Sequence, residues 1–548
     1  MVGIMLIMSQ QRGKEDMIMK KQFLVVLLTT LLSSCSNSKV VVKALSPRSL
    51  DISSIEKTNI RQTYKDYDSS SLVSSGNVKV AVIPIWFLDS PKYLNPVEKY
   101  KMRENINDAF FGDPNDIGWH SVKSYYEEES QGAFHLSGLT SYWYEYEGFS
   151  SDFYLQQNET ALKNMTEWFF TNNPSENRLN YDADSDGYLD AVSFIYGAPD
   201  SILAQREYDD KDYDNMWAYQ SKIHNAVKNY ESPALNAYIW ASYDFIAGKV
   251  NNSWRADLEH SKIDTATFVH EFGHCFGLID YYDYNHTKSP AGGFSMQDQN
   301  IGGHDPYSLM SLGWANPYIP TESMTIQLRA FQKTHELILL TPEWNEFDSP
   351  FDEYMLLELY TPTGLNEFHD QYGLMGKRHN TVASNNVGIR LWHVDATLTY
   401  FSTEPQDYGR KFLTDANHYN TGHAYSNTYY VEDGYNNNRI SQCGQEYSDY
   451  NLLECIQANQ WYEYNPTDIF YTQYLYTPGT AFSLRADKAG TSRYDGDYQR
   501  LISYIDKSNQ FVKQTKLNNN KELGWAFEVL SIEGEGDDAV ATIKLIKE

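Results

Sequence analysis

Phe268-Val-His-Glu-Phe-Gly-His-Cys-Phe-Gly-Leu-Ile-Asp-Tyr-Tyr-Asp-Tyr284 brings two imidazoles, three carboxylates and a helix stop together within seventeen residues. His270 and His274 are four apart, so on a helix both rings project from one face and can grip one ion. Glu271 follows the first His and stands beside that ion, where it can hold a water. This is the H-E-x-x-H arrangement by which a helix holds zinc for hydrolysis. Gly277, three residues after His274, can end the helix in a left-handed turn. Asp280 lies three further on, where a chain folding back returns an oxygen ligand to the same ion. With 14 His in 548 residues, a chance H-E-x-x-H has odds of roughly 0.02, and Gly and Asp at the later places lower them to the order of 0.0001. The spacing predicts zinc on His270, His274 and Asp280, with Glu271 as general base. Asp283 or His286 replaces Asp280 if the turn runs longer.

The flanking residues support a helix. Asp264 and Thr265 are acceptable N-caps before the run from Ala266 to Leu278. Val269, Phe272 and Phe276 recur on the face away from the two His, which suits a core-facing side. Cys275 is one helix step round from His274, so packing suits it better than ligation.

At this length the chain can hold two or three domains and bury large cores. Hydrophobic content of 41% and aromatic content of 15% fit folded globular material, and 44 Tyr suit β-rich structure. A net charge of −29 argues against nucleic acid or anionic membrane surfaces as partners. Met19 reads as the true start. From there Lys20-Lys21, an apolar run from Phe23 to Leu32 and Leu32-Ser33-Ser34-Cys35 resemble a bacterial signal with a lipobox. Residues 1–35 are therefore expected as a signal peptide, with Cys35 lipidated and the mature chain a cell-surface lipoprotein. A plainly cleaved secretory signal is the alternative, and both put the chain outside the cytoplasm. Membrane contact is expected only through that lipid. Ser69-Ser70-Ser71 and Ser74-Ser75-Gly76 mark 36–76 as a tether or short prosegment. No Cys lies between Ser36 and His274, which excludes inhibition by a cysteine of a propeptide. Cys443 and Cys455 can form a disulfide in an oxidising compartment.

From Val78 to Phe87 the chain gives a strong strand signal. Val97 to Phe110 looks helical, with Asn95 as N-cap and Pro96 in the first turn. Ser121 to Gly132 looks like a second helix and Ala133 to Thr140 like a strand. This alternation predicts an α/β domain over 77–325. Beyond it, Thr325–Leu328, Glu336–Leu340, Tyr354–Leu359 and Gly388–Val394 are short strand candidates between turns. They predict a β-rich, sandwich-like domain over 326–548. Tyr408 to Asp468 offers nothing beyond loops and hairpins.

Asp182-Ala-Asp-Ser-Asp-Gly-Tyr-Leu-Asp190 places carboxylates at positions one, three, five and nine of a turn, with Gly187 at six. That is the hard-oxygen pattern of a calcium loop, with the Tyr188 carbonyl as a further ligand. Position twelve is Ser193 instead of Glu, and the following Ala191–Tyr196 is a strand. A structural calcium ion that pins this turn is the expectation.

His270–Asp280 resembles the long zinc motif of metzincin-like peptidases, H-E-x-x-H-x-x-G-x-x-H/D. The continuation Gly-Leu-Ile-Asp-Tyr-Tyr-Asp is similar to the immune inhibitor A type, where Gly-Leu-Pro-Asp-x-Tyr-Asp is usual. Val78–Phe87 resembles that family's opening strand, and Tyr125-Tyr126 with Ser130 and Gly132 a later segment. Gly293-Phe294-Ser295-Met296 resembles its Met-turn, Ser311–Trp314 its closing Leu-Gly-Trp, and Gly388–Asp395 a strand of the next domain. The resemblance implies a metzincin-like fold, a secreted zinc endopeptidase acting on proteins or peptides, and Met296 as an apolar floor under the ligands. Ile279 departs from the usual Pro, and Asp298 stands where some metzincins have a Tyr. The oxyanion-stabilising tyrosine is thus unassigned, with Tyr307 one of several candidates. His393 suits a structural role on a strand better than ligation. The chain is expected to be a monomer. A calcium-dependent adhesin or glycan binder with an inactive peptidase-like domain is the rival reading.

Overall fold

The computed structural model describes residues 51–61, 63–67, 71–153, 155–200, 216–246, 263–282, 291–292, 294–300, 302–344, 350–367, 386–396, 400–401, 410–412, 452–456, 458, 475–483, 516–517 and 521–548. The expected signal, the start at Met19 and the lipidated Cys35 lie outside the described residues, as do Cys443, Asp283 and His286.

Six strands form the first sheet: β1 (Gly76–Trp86), β2 (Phe134–Thr140), β3 (Tyr144–Glu145), β4 (Val192–Tyr196), β5 (Tyr219–Lys222) and β6 (Ala237–Ser242). Their order is β2-β1-β4-β6-β5, with β3 also paired to β1. Every pairing is parallel except β5 with β6. Parallel neighbours need crossovers, which helices supply: α1 (Lys99–Phe111) and α2 (Val122–Glu129) lead from β1 to β2, and α3 (Leu155–Asn172) leads to β4. The Asn95 side chain caps a 3-10 turn ahead of α1, and Ser121 and Ser124 close a capping box on α2. The period-two alternation of β1 decides which core each residue enters. Val78, Val80 and Val82 join α1 and α2 in one core, whereas Ala81, Ile83 and Ile85 meet Leu162, Met165 and Phe169 of α3 in another.

The metal-motif helix is α4 (Ala266–Cys275). Asp264 caps it by accepting the Ala266 amide at 3.0 Å, while the Thr265 hydroxyl donates to His120 O. It stops three residues short of the expected Leu278. The reason is Gly277, whose φ of +96° is the left-handed conformation that terminates a helix. Val269, Phe272 and Phe276 are buried beneath it, as their spacing requires.

Described parts of the span expected as a tether or short prosegment pack against the rest of the chain. Ile52, Tyr64 and Leu72 are buried. Leu72 N–H donates to Cys275 O, Thr58 N–H to Pro317 O, and the Trp314 indole to Ser74 O. Three apolar anchors twelve and eight residues apart leave no periodic signal in a polar stretch.

Beyond Pro320 come β7 (Met324–Arg329), β8 (Ile338–Leu340), β9 (Glu353–Tyr360), β10 (Gly388–Asp395), β11 (Tyr400–Phe401), β12 (Arg410–Phe412), β13 (Leu453–Ile456), β14 (Ala481–Ser483), β15 (Trp525–Glu533) and β16 (Val540–Lys547). They make two antiparallel four-stranded sheets, β13-β10-β9-β8 and β14-β15-β16-β7, plus the β11–β12 pair. The fold therefore has a mixed α/β part followed by all-antiparallel sheets. The first antiparallel sheet is buried on both faces. Trp392, Val394, Tyr354 and Leu356 share a core with α4, whereas Leu391, Ile389, Met355 and Leu357 meet the second sheet. Residues 50–548 accordingly form one compact unit. Cys455 lies in β13 as a buried free thiol opposite Trp392, and its expected partner Cys443 lies outside the described residues.

His393 sits on β10 between two residues of the α4 core, so its side chain turns away from α4. Its Nε2 lies 3.1 Å from Glu353 Oε1 and its Nδ1 3.6 Å from Glu454 Oε2. Burial alone would lower its pKa, but the two glutamates outweigh it and raise the ring to about 10. An imidazole that binds its proton more tightly when folded stabilises fully below the unfolded value near 6.5, and that stability is lost as pH rises through the folded value. His393→Gln is therefore expected to unfold at lower urea than wild type below pH ~6.5, with the gap closing towards pH ~10. A gap that stays constant across this window would argue against a charged ring.

Candidate metal centre

His270, His274 and Asp280 converge although Asp280 lies outside the helix. The turn at Gly277 carries Asp280 back over α4. His270 Nε2 is 2.9 Å from Asp280 Oδ1, His274 Nε2 is 3.3 Å from it, and the two Nε2 atoms are 3.2 Å apart. Tetrahedral zinc with bonds near 2.0–2.1 Å sets its ligand atoms roughly 3.3 Å apart. The triangle has that size.

The outer ring nitrogens fix the tautomers. His270 Nδ1 is 2.8 Å from Met296 O and His274 Nδ1 is 2.8 Å from Leu278 O. A carbonyl only accepts, so each Nδ1 carries the hydrogen and each neutral Nε2 keeps a lone pair. Two nitrogen lone pairs and a carboxylate oxygen then face one another within 3.3 Å, an arrangement that needs positive charge at its centre. Extra protons can supply it, and so can a cation. Burial pushes the Asp280 carboxyl up, but when the rings carry the extra protons the charge of His274 and hydrogen bonds from both rings hold it well below the usual carboxylate range. Two imidazoles and one carboxylate, with carbonyls behind the imidazoles, suit zinc better than a hard cation.

Met296 begins the short helix α5 (Met296–Gln299), and its fully buried side chain belongs to the core under α4. Ser295 caps that helix and also donates to Asp305 Oδ2 at 2.8 Å. The antiparallel part supports the same turn. The Arg390 guanidinium of β10 lies 4.1 Å from the Phe294 ring centroid and 3.6 Å from that of Tyr360, cation–π distances.

Glu271 is buried beside the triangle and makes no ligand contact in it. Its carboxylate accepts the backbone N–H of Gln220 on β5. Burial, opposed by the charge of His270, raises its pKa to about 7. The sequence offered no sign that β5 would meet the motif helix, because a four-residue strand forty-nine positions away has no pattern of its own. Tyr282 was missed as well. Its hydroxyl donates to Asp280, and its ring lies nearly parallel to His270 with centroids 6.4 Å apart. The tyrosine pair after Asp280 was the available signal. Tyr307 is fully buried, with its hydroxyl 3.1 Å from that of Tyr64.

The acidic loop closes as a turn. Asp182 accepts the amides of Asp186 and Gly187, Asp186 accepts that of Tyr188, and Gly187 has a φ of +89°. Asp182, Asp184 and Asp186 each bring one oxygen within 4.8 Å of the others. Asp190 instead accepts Ala183 N–H at 3.0 Å, and burial raises it to about 8. Lys65 Nζ is 2.5 Å from Asp184 and Lys228 Nζ 3.6 Å from Asp186. Three converging carboxylates against two ammonium groups leave a net negative charge, which a bound cation would offset. Excess calcium is expected to raise the melting temperature of wild type but not of Asp184→Ala, because a ligand of the native state alone stabilises by mass action. Equal shifts in both proteins would count against this loop.

The chain matches no protein-family model and no curated protein.

Proposed function

We propose that this chain is an extracytoplasmic zinc-dependent endopeptidase, anchored through Cys35, with calcium as a structural ion in the acidic loop. The observation that carries the reading is the pair of tautomer-fixed Nε2 lone pairs facing Asp280 Oδ1, with Glu271 buried alongside. His270, His274 and Asp280 would hold zinc, which when bound supplies Lewis acidity toward a water and the scissile carbonyl. Glu271 takes the water's proton and returns it to the leaving amine. Beyond β5 no further strand pairs among the described residues. An extended peptide can add along that edge, which also carries the Gln220 amide bonded to Glu271.

Casein hydrolysis by the purified chain tests the reading. Activity should stop with a chelator and return with zinc, and calcium alone should not restore it. Chelator-insensitive hydrolysis, or a purified protein that binds no zinc, would overturn it. An inactive adhesin would instead bind its ligand with calcium and cleave nothing.

A further inference from the structure

We infer that Gln297 is the positioning residue of the metal centre: its amide oxygen accepts the Nδ1–H of His274, with His304 holding the amide from behind. The inference rests on the metal reading and adds a residue that the zinc motif does not contain.

The Gln297 side chain is fully buried. Its amide nitrogen is placed 3.3 Å from His274 Nδ1 and its amide oxygen 3.2 Å from His304 Nε2. Amide oxygen and nitrogen are distinguished only by their partners, and here the partners decide. His274 Nδ1 already donates to Leu278 O at 2.8 Å, so an NH2 group has no lone pair to meet there. The amide oxygen must face His274, which turns the NH2 towards His304 Nε2. His304 then accepts through Nε2 and donates through Nδ1 to the Tyr125 hydroxyl at 3.2 Å, which in turn donates to Gly302 O at 2.8 Å. The one Nδ1 hydrogen of His274 is then shared between Leu278 O and the Gln297 oxygen. Burial, reinforced by the charges of His270 and His274, lowers His304 to about 3, so its ring is neutral and can accept. A cation at the centre would act in the same direction.

The backbone around Gln297 reaches the other two ligands. Met296 O accepts from His270, and Gln297 O accepts the amide of Tyr281, the residue after Asp280. Gly273 makes room for the amide. A Cβ at that position would stand 2.4 Å from the Gln297 amide, so any other residue on this face of α4 would displace it.

The test compares Gln297→Met, which fills the space without an acceptor, with Gln297→Glu, which keeps one. Zinc affinity is read by competition with a chromophoric chelator, and ligand geometry by the visible spectrum of the cobalt-substituted protein. Loss of such a supporting contact typically weakens metal binding about 10–100-fold, which is the effect expected for Gln297→Met together with a changed cobalt spectrum. Gln297→Glu should stay within about threefold of wild type, because its oxygen still accepts from His274. Equal zinc affinity and an unchanged spectrum in Gln297→Met would overturn the proposal, as would equal losses in both variants. Urea midpoints check folding. If Gln297→Met does not fold, His304→Leu carries the test: it leaves Gln297 and the ligands in place, and unchanged zinc affinity would count against the clamp. A wild-type chain that takes up no zinc removes the metal reading itself, an outcome distinct from failure of the clamp.

Discussion

Glu271→Ala is expected to keep the fold and the zinc and to lose peptidase activity by about 10²–10⁴-fold in kcat. The carboxylate is buried beside the ligand triangle but outside it, so its removal leaves the three ligand atoms where they are. What disappears is the group proposed to move the proton between water and leaving amine. The loss should appear in kcat, since the edge of β5 remains to bind substrate. Zinc content, urea midpoint and peptide hydrolysis measured on one preparation decide it. Activity within about tenfold of wild type would remove Glu271 from the role of base.

His274→Ala is expected to abolish stoichiometric zinc and all zinc-dependent activity. His274 supplies one of three converging atoms and is held at Nδ1 by Leu278 O and the Gln297 amide. Its loss leaves one imidazole and a carboxylate 2.9 Å apart, a pair that protons can satisfy without metal. Zinc at a thousand times its dissociation constant stabilises a native state that alone binds it by about 4 kcal/mol, so wild type should melt later in zinc. The variant should show no such shift. Metal analysis that finds one zinc per chain in His274→Ala would sink the assignment of this ligand.

Much of the architecture was legible because it obeys local rules. β1, β9 and β10 declare themselves as short, largely apolar runs, and Asn95, Ser121 and Gly277 mark helix ends by capping chemistry acting within four residues. The metal motif is legible for the same reason: four residues along a helix bring two rings to one face whatever surrounds them. Asp280 is still local, six residues beyond His274 and delivered by one left-handed glycine. The acidic loop shows how far such a pattern carries. Three of its aspartates meet, whereas Asp190 is claimed by the Ala183 amide.

Residues 270, 271, 274, 277 and 280, together with the apolar runs of the strands, were determined by the sequence alone, since each depends on neighbours a few bonds away. Tertiary structure alone decided that Met296 O and Leu278 O fix the tautomers, and that Gln220 N–H reaches Glu271. It also decided that Gln297 and His304 stand behind His274, that Ile52, Tyr64 and Leu72 are buried, and that Cys455 keeps a free thiol inside β13. Except for the tight Leu278 turn and the short span from Gln297 to His304, these contacts join segments from about twenty to more than two hundred positions apart. No periodicity encodes such pairs. They follow from which buried polar group finds a partner once the sheets and α4 share one core, and an unpaired buried donor or acceptor costs about 1–3 kcal/mol.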